Sequence, residues 1–151
     1  IKLIFLQRKI IQFHLAIKMT KIKPNYGKTN PSPDEFAAMP LKRYGSVVEL
    51  IPEKDQYYRE LHASGWQGVM DQIKRSNIQN YSIFTHEIAG IKYLFSYFEY
   101  VGEDFEADMA LMAEDEETRR WWAATDPCQK PLPSAGEGNI WSTMETVFLL
   151  E

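Results

Sequence analysis

The chain has 151 residues, of which 44% are hydrophobic and 13% aromatic, and its formal net charge is −4. This composition supplies enough apolar mass for one globular domain with a sizeable core. The single cysteine, Cys128, excludes an intrachain disulfide and favours a reducing, cytoplasmic compartment. The sequence contains no Cys/His cluster with zinc spacing, no glycine-rich phosphate loop and no apolar run long enough to cross a bilayer. We therefore expect no metal, no cofactor and no membrane partner.

Charge is distributed unevenly along the chain. Residues 1–38 contain seven Lys or Arg and two acidic residues, which gives +5, whereas the remainder carries −9. A body this acidic repels phosphate groups, so we expect a neutral ligand and no nucleic acid as a partner.

The N-terminal part is expected to lie outside the working domain. Residues 23–40 contain four prolines with Asn, Ser and Gly between them, a composition typical of a linker. Residues 1–18 lack the cleavage site of a secretory signal, although they also fit a basic amphipathic helix lying on a membrane. We predict an N-terminal extension over residues 1–38, disordered or not native, and a working domain over residues 39–151.

From Arg43 onwards the hydrophobic pattern predicts strands that alternate with helices. The predicted strands cover residues 44–51, 80–85, 93–100 and 142–150. Pro52 and the acids behind it are typical of a helix start, and this first helix is predicted to run to about Arg75. A second helix is predicted from Asp104, followed by a short helical turn over residues 116–122.

The predicted order is β-α-β-β-α-β, which is the ferredoxin-like α+β arrangement of two helices on one face of an antiparallel sheet. The third strand is apolar or aromatic at nearly every position, so both of its faces are expected to be covered. We expect an identical chain to cover the second face with its own sheet, giving a homodimer built as a dimeric α+β barrel. Cover by the linker or by the C-terminal loop is the alternative.

His62 is the candidate for proton transfer. Tyr58, His62 and Trp66 are spaced four residues apart, so one continuous helix would place them in a column on the same face. Apolar residues at helical spacing flank this column, which puts it at the edge of a buried stripe. A histidine beside a phenol in that position can exchange protons near neutral pH. A structural histidine, hydrogen-bonded within the fold, is the competing interpretation.

Trp121 and Trp122 are the second candidates. Adjacent residues on a helix point about 100° apart, so one indole can pack in the core while the other lines a cleft and stacks on a sugar. Two core tryptophans are the competing interpretation. Tyr81 is typical of an ordinary sheet aromatic, and Cys128 has no neighbouring base in the sequence and fits an inert buried thiol.

Seven short blocks occur in a distinctive order along the chain. They cover residues 43–47, 58–66, 80–83, 93–95, 97–100, 121–122 and 125–129. Over about residues 40–151 this order closely resembles that of the L-rhamnose mutarotase family. The resemblance implies a homodimeric ferredoxin-like barrel that interconverts the α and β anomers of L-rhamnose without a cofactor or metal. One departure lies after Trp66, where Gln67 and Gly68 replace the usual Pro-Glu and Gly65 is also unusual.

The resemblance also implies roles for particular residues. His62 matches the family's catalytic histidine, the proton donor, and Tyr58 and Tyr81 match its sugar-contacting tyrosines. Trp121 and Trp122 match its paired tryptophans. We expect His62 to donate a proton to the ring oxygen and Tyr58 to orient or relay. Tyr81 is expected to hydrogen-bond sugar hydroxyls, and the two indoles are expected to form a stacking wall.

Two further residues and two further functions stay open at this point. Asp126 and Gln129 are weaker candidates for polar contacts with the ligand. The same fold also hosts cofactor-free small oxygenases, which would need an apolar pocket and an aromatic substrate. A sugar-binding module without turnover is the other alternative.

Overall fold

The computed structural model describes residues 32–150, so the predicted extension over residues 1–38 lies mostly outside the described residues. The chain divides into two compact units, and the larger, Pro33–Thr146, holds every helix and strand of the described part. The described part of the other unit consists of Ser32 and residues 147–150.

An antiparallel five-stranded sheet organises the larger unit, which confirms the α+β class. The strands are β1 (Lys42–Leu50), β2 (Ile78–Ile88), β3 (Ile91–Tyr100), β4 (Gln129–Lys130) and β5 (Ser142–Thr143). Their order is β2-β3-β1-β4, and β5 pairs with β1 as well. The two long central strands, β1 and β3, pair from Lys42 opposite Tyr100 to Glu49 opposite Tyr93.

The strand boundaries differ from the prediction at both ends of the sheet. β2 and β3 are longer than expected because Ala89 and Gly90, with φ of 52° and 78°, close them into a tight hairpin. The predicted last strand, residues 142–150, is wrong beyond Thr143. It shares one edge of β1 with β4, and β4 already pairs with Glu49 and Leu50.

Helices cover part of this sheet. They are α1 (Pro33–Ala38), α2 (Asp55–Ala63), α3 (Gln67–Arg75), α4 (Phe105–Glu114) and α5 (Glu116–Thr125), with short 3₁₀ helices at Pro52–Lys54 and Asp126–Cys128. Asp104 and Asp115 cap α4 and α5, since their carboxylates accept the N–H groups of Ala107 and Thr118 at 3.0 and 2.8 Å. α1 forms inside the predicted linker because proline and two acids occupy its first turn, where both are favourable.

The predicted first helix is wrong in its middle, where it breaks into α2 and α3. Gly65 adopts a φ of +61°, a left-handed conformation that glycine reaches without strain, and this ends the helical path. Ser64 Oγ donates to the carbonyl of Leu61 at 2.7 Å and helps to close the turn. Trp66 therefore lies at the start of α3 and not in one helical column with Tyr58 and His62.

Two clusters of buried side chains form the core. The first, here called the cavity cluster, consists of Val48, Leu50, Tyr58, Leu94 and Cys128. The second, here called the Tyr100 cluster, consists of Ile78, Tyr100 and Met112, with five partly buried apolar side chains around them. Cys128 is fully buried, and burial raises the pKa of its thiol, in keeping with the predicted inert residue.

Candidate active site

A cavity of about 1110 Å³ lies beside the cavity cluster, and all the predicted site residues border it. They are Tyr58, His62, Tyr81, Trp121 and Trp122. α2 contributes the first two, β2 contributes the tyrosine and α5 contributes the tryptophans, so three separate elements bring these side chains to one wall.

His62 is held by its own helix so that one ring nitrogen is committed and the other is free. Its Nδ1 lies 2.9 Å from the carbonyl oxygen of Tyr58, one turn earlier in α2. A carbonyl can only accept, so Nδ1 carries the proton and Nε2 is left to exchange one with a ligand. Within residues 32–150 Nε2 has no hydrogen-bond partner.

The surroundings of His62 favour its neutral form. Its ring packs against the rings of Tyr58 and Trp121, with centroids 4.3 and 4.8 Å away. This desolvation lowers the pKa of His62, and the bond to the Tyr58 carbonyl opposes the shift with a smaller effect. His62 is thus mostly neutral at pH 7 and can accept a proton at Nε2.

Tyr58 and Tyr81 bring two phenols to the same wall by different means. Tyr58 is 5% exposed, and burial raises its pKa well above the usual range, with a further contribution from the neighbouring Tyr81. Tyr81 follows Asn80, which has a φ of 50°, and the pairing of β2 with β3 skips both residues between Gln79 and Ser82. Such a bulge re-aims a side chain, so Tyr81 is not an ordinary sheet aromatic.

The tryptophan pair is divided between packing and exposure. The Trp121 ring makes edge contacts with His62 and with Trp66, whose centroid is 5.2 Å away. Trp122 is 36% exposed. Neither indole is a fully buried core residue, so the interpretation as two core tryptophans is wrong. Trp66 rejoins the site through this ring contact although the helix between it and His62 is broken.

Gln129 and Asp126, the weaker candidates, also border the cavity. Gln129 Nε2 donates to the carbonyl of Thr125 at 3.3 Å, whereas its buried Oε1 has no partner among the described residues. The Asp126 carboxylate makes no hydrogen bond or ion pair within residues 32–150, and burial raises its pKa. Gln129 Oε1 and the Asp126 carboxylate therefore have no hydrogen-bond partner within residues 32–150 and are available to a ligand.

Two cavity residues were missed by the sequence. Asn139 and Trp141 belong to the loop before β5, and they border the same cavity as Gln129. Trp141 packs against the cavity cluster. The Pro/Gly-rich composition of this loop gives no local signal for its path, because only the pairing of β5 with β1 brings it back to the site.

The charges of the cavity are few, and most of them are neutralised. Asp55 binds Lys92 at 2.5 Å and Arg59 at 2.7 Å, and these partners hold the pKa of the carboxyl below its usual range. No group of three His, Cys, Asp or Glu side chains within residues 32–150 is arranged to hold a metal ion. The wall can therefore stack a neutral ligand on aromatic faces and exchange protons with its hydroxyls.

Comparison with known proteins identifies chains of similar sequence. The family model described as L-rhamnose mutarotase matches residues 43–150. The L-rhamnose mutarotase of Bacillus subtilis is 30% identical over 90 residues, which cover 60% of this chain and 82% of that protein. The protein of the same name from Lactiplantibacillus plantarum is 27% identical over 113 residues, covering 74% of this chain and 100% of the relative.

A solved structure resembles the fold. The crystal structure of an L-rhamnose mutarotase from Formosa agariphila superimposes with a TM-score of 0.54 at 23% identity. The superposition covers 73% of this chain and 99% of that one. At this identity the likeness concerns the α+β fold with its antiparallel sheet.

Proposed function

The chain belongs to the L-rhamnose mutarotase family, and we therefore propose that it is a carbohydrate isomerase that interconverts the α and β anomers of L-rhamnose. The observation that carries this proposal is the state of His62. One ring nitrogen is fixed on a backbone carbonyl, the other is free, and the ring borders a cavity whose wall is aromatic and largely uncharged.

Mutarotation is an acid–base reaction that suits such a histidine. The ring oxygen must gain a proton and the anomeric hydroxyl must lose one before the ring opens to the aldehyde. Rotation of the carbonyl and closure of the ring reverse both transfers. His62 Nε2 gives a proton to the ring oxygen when the imidazole is charged, and it recovers the proton on closure.

The other site residues supply binding and orientation. Tyr58 keeps its phenol proton, since its pKa is raised, and this favours an orienting hydrogen bond over proton relay. Tyr81 hydrogen-bonds sugar hydroxyls, and Trp121 and Trp122 stack on the C–H faces of the ring. L-Rhamnose is neutral, and the ion pairing of Asp55 leaves little charge on the wall to discriminate against it.

The same observations weigh against the oxygenase alternative. An apolar substrate would leave Gln129 Oε1, the Asp126 carboxylate and His62 Nε2 without partners in a desolvated site. A sugar supplies hydroxyl groups that can satisfy each of them. A sugar-binding module without turnover would have the same residues around the cavity. The exchange experiment below distinguishes such a module from an enzyme.

We further propose that two chains pack sheet to sheet as a ferredoxin-like dimeric α+β barrel. The strand order β2-β3-β1-β4 supports the topology. On the hairpin of β2 and β3, Phe84, Ile88 and Ile91 are 61%, 50% and 41% exposed, and a partner sheet would cover such side chains.

The remaining proposals concern the boundaries of the domain and its compartment. We propose residues 39–151 as the working domain and residues 1–38 as an extension. The lone cysteine supports a reducing, cytoplasmic compartment. Between residues 32 and 150 there is no helix with the length and apolar character needed to cross a membrane.

Exchange NMR on equilibrated L-rhamnose tests the function. The protein is expected to increase magnetisation exchange between the α and β anomeric signals, and His62→Ala is expected to abolish the increase while saturation transfer still reports binding. L-Fucose and D-glucose serve as a specificity panel. Binding without exchange in the wild type would favour the non-catalytic module, and absence of binding would contradict both sugar-based readings.

A further inference from the structure

Ring opening requires two proton transfers, and His62 offers one free nitrogen for them. One proton leaves the anomeric hydroxyl as another arrives at the ring oxygen, and both oxygens are bonded to C1 of the sugar. Because Nδ1 of His62 is occupied by the Tyr58 carbonyl, Nε2 can serve one of these oxygens at a time. A second group on the cavity wall is therefore needed for a concerted reaction.

Few side chains qualify as this second group. The titratable or charged residues that border the cavity are Asp55, Tyr58, Arg59, His62, Tyr81 and Asp126. Asp55 is held as an anion by Lys92 and Arg59, and the guanidinium of Arg59 does not exchange protons near neutral pH. The phenols of Tyr58 and Tyr81 keep their protons near neutral pH, because the ordinary pKa of a tyrosine is about 10 and burial raises the pKa of Tyr58 further. Asp126 is the one that remains.

The position of Asp126 suits the role. It follows α5 directly and keeps a helical backbone, with φ of −56° and ψ of −41°. It borders the same cavity as His62 and as Trp121, whose ring contacts His62. Its partly buried carboxylate has neither a hydrogen bond nor an ion pair within the described residues.

We propose that Asp126 is the second proton-transfer group and that it acts with His62 on the two oxygens attached to C1 of the sugar. This proposal rests on the proposed mutarotase function. It makes Asp126 a catalytic residue, in contact with the substrate, and gives the site a pair of groups that together hold one exchangeable proton.

The proton balance of the pair closes over one turnover. Ionised Asp126 takes the proton of the anomeric hydroxyl while the bond between C1 and the ring oxygen breaks and His62 gives its proton to that oxygen. The products are the open-chain aldehyde, a neutral His62 and a protonated Asp126. After rotation about the C1–C2 bond, the hydroxyl attacks C1 and returns its proton to His62, and Asp126 returns its proton to the former carbonyl oxygen.

Burial brings the pKa values of Asp126 and His62 closer together. It raises the pKa of Asp126 and lowers the pKa of His62, so moving a proton from one to the other costs less than between free side chains. The reactive form holds one proton on the pair. Activity should therefore fall at low pH, where both groups are protonated, and at high pH, where both have lost the proton.

The test is the pH dependence of the exchange rate in Asp126→Asn. The amide keeps the shape of the side chain but cannot carry the proton, so we expect a loss of about 10²-fold and disappearance of the acidic limb of the profile. Binding of L-rhamnose should change by less than a few-fold. Glu60→Gln removes one exposed negative charge from the helix that carries His62, and it should keep the wild-type rate and profile.

The possible results separate this proposal from the proposed function. Wild-type exchange that is lost in His62→Ala but retained with an unchanged profile in Asp126→Asn overturns the role of Asp126 alone. Absence of exchange in the wild type overturns the mutarotase function and this proposal with it. If Asp126→Asn does not fold, Asp126→Glu decides, because its longer carboxyl should shift the acidic limb, and an unshifted limb overturns the proposal.

Discussion

Each of the two core clusters contains a buried tyrosine, but only one of the two tyrosine hydroxyls has a hydrogen-bond partner within the described residues. Tyr100 is fully buried and donates to the carboxylate of Asp108 at 2.6 Å, which also accepts from Asn77 at 2.8 Å. This environment raises the pKa of Tyr100 to about 12. Tyr58 is 5% exposed, and its hydroxyl has no partner among the described residues. One cluster satisfies its polar atoms internally, whereas the other leaves them open to the cavity.

The difference extends beyond the tyrosines and indicates where function is concentrated. Leaving a buried polar group without a partner costs about 1–3 kcal/mol, so a fold that retains several such groups has a lower free energy of unfolding. Around the cavity cluster the open groups are His62 Nε2, Gln129 Oε1 and the Asp126 carboxylate. We therefore expect changes at the cavity to reduce activity and changes in the Tyr100 cluster to reduce stability.

The largest effect is expected from His62→Gln. The amide of glutamine can donate and accept hydrogen bonds but does not exchange protons near neutral pH, so it separates proton transfer from simple polar contact. We expect the exchange rate between the anomers to fall by about 10²–10⁴-fold, with binding of L-rhamnose retained. Exchange NMR measures the rate and saturation transfer measures binding. A rate within a few-fold of the wild type would show that His62 contributes only hydrogen bonding.

The matched pair Tyr58→Phe and Tyr100→Phe tests the comparison directly. Loss of the Tyr100 hydroxyl removes a hydrogen bond to a carboxylate and should lower the free energy of unfolding by about 1.5–3 kcal/mol without changing the exchange rate. Loss of the Tyr58 hydroxyl removes no bond within the described residues, so stability should change little while the rate falls by about tenfold.

Urea unfolding and exchange NMR on both variants give the four values that this pair requires. The comparison is refuted if Tyr58→Phe destabilises the fold as much as Tyr100→Phe does. In that case the Tyr58 hydroxyl would have a structural partner.

A smaller effect is expected at Gln129. In Gln129→Met the volume is retained, the bond to the Thr125 carbonyl is lost and the unpartnered Oε1 is removed, so the free energy of unfolding should change by less than about 1 kcal/mol. Binding of L-rhamnose should weaken by about five- to tenfold, since one charge-free hydrogen bond is worth about 1 kcal/mol. Titration followed by tryptophan fluorescence provides the affinity. Unchanged affinity together with a higher stability would show that Oε1 meets no ligand group.

Part of this site was predictable because it depends on local spacing, and the rest was not. Tyr58 and His62 lie four residues apart on one uninterrupted helix, so their proximity follows from helical geometry. Trp66 shows the limit, since the positive φ of Gly65 breaks the helix and a ring contact with Trp121 restores the proximity. The sequence shows this glycine, but helical spacing alone does not distinguish a glycine that continues a helix from one that ends it.

Other features depend on pairing between distant parts of the chain. β4 has two residues, Gln129 and Lys130, and its existence follows from the free edge of β1 at Glu49 and Leu50, not from any pattern of its own. The same edge holds β5, which returns the loop with Asn139 to the cavity. Local propensity carries no information about such contacts. The order of the long strands was therefore predictable from the sequence, whereas β4, the pairing of β5 with β1 and the loop with Asn139 were not.

The smallest effect is expected in the pH dependence of stability. The pKa of His62 is lower in the folded protein than the value of about 6.5 of a free histidine, so the unfolded chain binds this proton more tightly. The contribution of His62 to stability is therefore present above pH 6.5 and decreases as the pH falls through 6.5 toward the folded pKa.

Urea unfolding between pH 7.5 and 5.5 measures the slope of the free energy of unfolding against pH. This slope should be larger in the wild type than in His62→Gln. Tyr100→Phe should keep the wild-type slope over this interval, because the pKa of Asp108 is lowered from 3.8 and its stabilisation is lost only at more acidic pH. Equal slopes in the wild type and His62→Gln would mean that the cavity does not desolvate the imidazole.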